Sequence, residues 1–137
     1  MKHTYKIPGE PKGKARVRVV NGHAYTPQET KDYEHAAALR YRLSGGKIIE
    51  GPVAVHILAE IGIPKSATKA QRQGMLDGTI KATKKPDADN IAKIILDALN
   101  KIAYKDDSAV VQFDVLKVYS EAPGVTVTVE SIDTTNN

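Results

Sequence analysis

Residues 84–107 read KKPDADNIAKIILDALNKIAYKDD, and the fold is decided by the helix they contain. From Asp89 onward, Ile91, Ile94, Ile95, Ala98, Leu99 and Ile102 recur at helical spacing and form one apolar stripe. Pro86 precedes the start, and aspartates fill the first turn, where they complement free N–H groups and the positive end of the helix dipole. Asp89, Lys93 and Asp97 fall at i, i+4 and i+8 and share a second, polar face. The stretch closes on a second acidic pair, Asp106-Asp107.

Working outward, residues 52–61 (PVAVHILAEI) alternate with apolar side chains on both faces, which predicts a central strand. His56 lies within it and reads as a hydrogen-bonded packing residue rather than a ligand. Residues 109–119 and 124–130 read as two strands joined as a hairpin around Glu121-Ala122-Pro123-Gly124. Upstream, residues 4–8 and 14–20 read as strands. The second sets Lys14, Arg16 and Arg18 on one face and Ala15, Val17 and Val19 on the other. Asn21-Gly22 predicts a turn, with His23-Ala24-Tyr25 as the return arm.

Thr26 as hydroxyl cap and Pro27 as first residue open a helix to about Leu43, stopped by Ser44-Gly45-Gly46. Tyr33 and Tyr41 on it could stack on bases, but their spacing fits core packing better. In residues 62–86, Ser66 is expected to cap a short helix through Leu76 in a segment that orders on a polyanion. The expected fold is α+β, two layers, with a mainly antiparallel sheet of about four to five strands and two main helices. One domain is expected over 1–131, followed by a polar, frayed tail at 132–137.

The chain has 137 residues, no cysteine and no apolar run long enough to span a bilayer, so disulfides and thiolate metal sites are excluded. Nothing reads as a secretion signal, and a cytoplasmic location is expected. The net charge of +4 conceals a polarity along the chain. Residues 1–22 and 64–86 each carry +5, whereas residues 87–137 carry −5. Two basic blocks beside one acidic block suggest a polyanion held next to a carboxylate cluster; solubilising surface charge is the plainer alternative.

Carboxylates that converge repel one another unless a cation lies among them. If Asp87 and Asp89 meet the Asp106-Asp107 pair, an all-oxygen donor set without cysteine or imidazole favours Mg²⁺ or Mn²⁺. Taken alone, each pair is better explained by helix capping or turn chemistry. A calcium loop is rejected, because the sixth position from Asp87 is Ala92 instead of glycine and the twelfth is Ala98 instead of glutamate.

The run KPDADNIAKIILDALN followed by DD resembles the signature of the RusA family of Holliday junction resolvases, found in bacteria and their prophages. The resemblance is strong over residues 84–112 and extends loosely over most of the chain. It implies a homodimeric, Mg²⁺-dependent endodeoxyribonuclease of recombination and repair that cuts four-way junctions, with Mn²⁺ as a substitute ion. By position, Asp87, Asp89 and Asp107 would be the catalytic and metal-binding carboxylates and Lys93 the catalytic lysine. Lys14, Arg16, Arg18, Lys65, Lys69, Arg72, Lys84 and Lys85 would bind the DNA backbone. Neither a membrane nor a nucleotide cofactor is expected. One departure is Ser108-Ala109 after the acidic pair, where a glutamine is usual. The rival readings are a non-catalytic basic DNA-binding module and a metal-dependent nuclease for forks or flaps.

Overall fold

A computed structural model describes residues 1–132. In chain order the elements are β1 (Lys2–Pro8), β2 (Arg18–Val20), β3 (His23–Tyr25), α1 (Gln28–Leu43), β4 (Val53–Gly62), α2 (Lys69–Asp77), α3 (Ala88–Leu99), β5 (Val110–Ser120) and β6 (Gly124–Ser131). A single 3₁₀ turn, Asp107–Ala109, leads into β5. The polar tail expected from residue 132 lies almost wholly outside the described residues.

The main sheet has the order β1-β6-β4-β5, and β2 and β3 form a separate hairpin. β6 runs antiparallel to both β1 and β4, whereas β4 and β5 run parallel. The α+β class therefore holds, with a mostly antiparallel sheet. The hairpin expected between the last two strands does not form, because β4 lies between β5 and β6. β4 carries apolar residues on both faces and takes the interior position. The connection at residues 121–123 then has to cross two strand spacings, roughly 10 Å, which three extended residues can do. A parallel β4–β5 pair needs a long crossover, and the stretch containing α2 and α3 supplies it.

The core lies between one face of the sheet and the pair α1 and α3. Tyr5 and Ile7 of β1, Val53, Val55 and Ile57 of β4, and Val125, Val127 and Val129 of β6 meet Ile91, Ile94, Ile95 and Leu99 of α3. Tyr41 of α1 is fully buried, stacks edge-on against Tyr5 at 5.4 Å and donates its hydroxyl to the Lys47 carbonyl. Tyr33 packs at the margin of the same core, so these tyrosines are packing residues. Gly46 closes the turn after α1 because any β-carbon there would come within 2.6 Å of the Tyr41 ring.

Three local expectations shift. Helix α1 begins one residue later, with Pro27 as a cap that makes no side-chain bond. Helix α2 is capped by Thr68 and not Ser66, through a capping box in which Thr68 and Gln71 satisfy each other's backbone. Of the strand expected over 14–20, only residues 18–20 pair. Val17, Val19 and Val20 are exposed because the β2–β3 hairpin stands off the core, leaving no apolar face to bury.

Candidate active site

Helix α3 presents the acidic end of the site through the rules that start a helix. Asp87 is its N-cap by backbone conformation, yet its side chain makes no capping hydrogen bond. The capping alternative thus fails to occupy this carboxylate. Asp89 lies in the first turn and Lys93 one turn further, both exposed. None of Asp87, Asp89 and Lys93 enters an ion pair among the described residues.

The segment at residues 11–14 runs against this helix. A β-carbon on Gly13 would lie 3.0 Å from both the Pro86 and the Asn90 side chains, and the Lys14 amide donates to the Asn90 carbonyl at 2.9 Å. A cleft of about 370 Å³ opens there, with Lys12, Lys85 and Asp87 in its wall. Asp87 therefore faces a groove whose other charges are cationic, an arrangement suited to an anionic backbone lying across a carboxylate site.

The second acidic pair splits in two. Asp106 caps the 3₁₀ turn: its Oδ2 accepts from the Ser108 amide at 3.0 Å and the Ser108 hydroxyl at 2.9 Å. Those bonds, with the Lys101 ammonium, hold its carboxyl below the ordinary range. Asp107 makes no such bond, and partial loss of hydration raises its carboxyl, with the charges of Asp97 and then Asp106 adding to the rise. Burial pushes the Tyr104 hydroxyl up strongly, and the charges of Asp107 and Asp97 push the same way. Asp97, Tyr104 and Asp107 therefore form one neighbourhood at the C-terminal half of α3.

Asp97, which the sequence placed only on the polar face of the helix, has a partner there. Its Oδ2 lies 3.1 Å from the Lys14 ammonium, which also holds Glu34 of α1 at 2.6 Å. Only the fold brings these three together, so no sequence spacing announces them. The structure thus gathers Asp87 and Asp89 at one end of α3 and Asp107 with Asp97 towards the other. Among the described residues, no three His, Asp or Glu side chains converge tightly enough to hold an ion as they stand. The donor chemistry nonetheless fits a hard divalent cation: exposed carboxylates without imidazole or thiolate, one of them raised first by lost hydration and then by like charges that a cation would offset.

Of the basic residues, Arg16 and Arg18 are exposed on the approach to the β2–β3 hairpin. Lys84, Lys85 and Arg72 line a second cleft of about 400 Å³, where Arg72 pairs with Glu121 at 2.8 Å. Lys65 and Lys69 are exposed at the entry to α2. Lys14 differs, since its ammonium is held inside the fold.

The family model described as Endodeoxyribonuclease RusA matches residues 8–130. The chain belongs to the RusA endodeoxyribonuclease family. It is also similar to the uncharacterized protein YqaN of Bacillus subtilis (strain 168), with 35% identity over 135 residues, covering 93% of this chain and 95% of the relative. No helix among the described residues is long and apolar enough to cross a membrane.

Proposed function

We propose that this chain is a Mg²⁺-dependent endonuclease that resolves four-way DNA junctions in recombination and repair. The observation that carries the reading is Asp87, at the N-terminus of α3, left unbonded in a cleft it shares with Lys12 and Lys85. Family membership supports the nuclease class. Asp87, Asp89 and Asp107 would hold Mg²⁺, or Mn²⁺ in its place. The ion, when bound, would supply an activated water and neutralise charge on the phosphate under attack. Lys93, exposed one turn beyond Asp89, offers a cation to the charge that develops on the scissile phosphate. Arg16, Arg18, Lys65, Lys69, Arg72, Lys84 and Lys85 grip the DNA backbone, a contact that weakens as salt rises. A four-way junction presents two symmetric cutting sites, so the working unit is a two-fold pair of chains acting in the cytoplasm.

The test compares cleavage of a synthetic four-way junction, a fork, a flap and a plain duplex, each with and without Mg²⁺. The expected result is paired cutting of the junction, lost in Asp87→Asn and in Asp107→Asn while junction binding persists. Equal cutting of forks and flaps would overturn the junction preference. Salt-sensitive binding with no cutting in Mg²⁺, or in Mn²⁺ in its place, would overturn the enzyme reading.

A further inference from the structure

The β2–β3 hairpin turns through Asn21-Gly22, both at positive φ, which closes two short strands with a matching twist. Its register sets Arg18 opposite Tyr25 and Val20 opposite His23, so these four side chains share one face. That face is uncovered, with Val20 52% and Tyr25 43% exposed. Tyr25 is the one tyrosine the chain leaves exposed, since Tyr33 and Tyr41, the two the sequence offered for base stacking, pack in or against the core.

Arg18 and Tyr25 line a cleft of about 380 Å³ that reaches Ile94 of α3. Lys12 and Gly13 belong to its wall and also to the wall of the Asp87 cleft, so one short segment of chain borders both. The charged residues of the wall are Lys12, Arg18 and Glu29, and Arg16 stands exposed just before the hairpin. A tyrosine beside an arginine offers a ring to a nucleobase and a guanidinium to its phosphate. In a plain duplex each base face is covered by its neighbours, so the ring finds nothing to stack on; unpaired and branched DNA exposes such faces.

We propose that the Arg18–Tyr25 face of the hairpin receives an unpaired base of the DNA strand held at Asp87. Tyr25 stacks on the base, Arg18 holds its phosphate, and Val20 fills the space the base leaves in the stack. The occupant is nucleic acid because the apolar positions are interleaved with cations, Lys12, Arg16 and Arg18, in a segment of net charge +5 over residues 1–22. The proposal rests on the nuclease reading for the DNA, and it adds what tells a branch point from a duplex. Phosphate contacts serve both alike, whereas base contacts do not.

The experiment measures binding of the full chain by fluorescence anisotropy, at fixed salt and without divalent metal. The probes are a four-way junction, a duplex, a single-stranded oligonucleotide and the same strand with its bases removed. Tyr25→Ala should weaken binding to the junction and the single strand by about 5- to 150-fold, the worth of one stacked base, and leave the duplex and the abasic strand unchanged. Tyr25→Phe keeps the ring and should bind like the wild type. Arg18→Ala should weaken binding to all four probes and reduce the salt slope by about 1. A loss shared equally by the duplex and the abasic strand, or a phenylalanine variant as weak as the alanine one, would overturn the proposal. No loss on any probe would also overturn it and leave the face to a protein partner. A chain that shows this base dependence yet cuts no branched DNA would support the proposal and sink the nuclease reading. One that cuts junctions but is indifferent to Tyr25→Ala would do the reverse.

Discussion

Replacing Lys14 with methionine keeps most of the unbranched side chain and removes a cation that joins the N-terminal segment, α1 and α3. The ammonium holds Glu34 at 2.6 Å and Asp97 at 3.1 Å, and the three side chains are 16%, 18% and 34% exposed. Fully exposed pairs contribute about 0–1 kcal/mol, while losing one partner of a fully buried pair costs about 3–5 kcal/mol. This triad lies between those limits, so Lys14→Met should cost about 2 kcal/mol. For a chain of this length that lowers Tm by about 6–8 °C. Desolvation works against the charged lysine, but the hydrogen bonds to Glu34 and Asp97 win and its pKa is raised. A raised lysine pKa means stabilisation that is complete below the unfolded value of 10.5 and lost as pH climbs through the folded one. The deficit of the variant should therefore be constant across the neutral range. Urea unfolding at fixed m measures it, and a double-mutant cycle with Asp97→Asn isolates the pair. A loss below about 0.5 kcal/mol, or no coupling with Asp97, would refute the clamp.

Two further outcomes are expected. Ile94 is fully buried between α3 and the sheet, so Ile94→Ala should cost about 3 kcal/mol in urea unfolding without altering the fold. His56 is raised above 6.5, first by its hydrogen bond to Asp114 and then by that to Glu130. The folded state thus binds the proton more tightly, and this contribution should be full below pH 6.5 and fade as pH rises through the folded pKa. His56→Gln should flatten that fall in a pH series of thermal melts; an unchanged slope would show that folding does not raise the histidine's pKa.

How much was legible in the sequence depended on whether a feature was local. Helix α3 was readable because its isoleucines, its proline and its first-turn aspartates all argue for the same structure. β4 was readable from its apolar alternation, and the hydrogen-bonded character of His56 from its place inside that strand. The pairing of β5 was not, because a short polar connection fits both a hairpin and a step across one strand. What decides between them is the demand of β4 for neighbours on both sides, a property of the whole sheet. Residues 14–17 misled for a related reason: alternation marks a strand only where a second layer exists to cover its apolar side. At the site, the motif at the start of α3 drew attention to Asp87, Asp89 and Lys93 as candidates, but the Lys14–Asp97 contact joins residues far apart in the chain and becomes visible only once it folds.

The place of β6 in the sheet has a consequence for how the protein is made. It is the last of the described strands, yet it sits inside the sheet, with Glu130 opposite Lys2 and Val127 opposite Ile57. During synthesis at about 5–20 residues per second, β1 and β4 emerge with no partner between them and wait until β6 has been made. The edges that β6 will later cover stay open throughout that interval. A nascent chain of this kind leaves those edges open until β6 arrives, and a product shortened before residue 124 would keep both open for good.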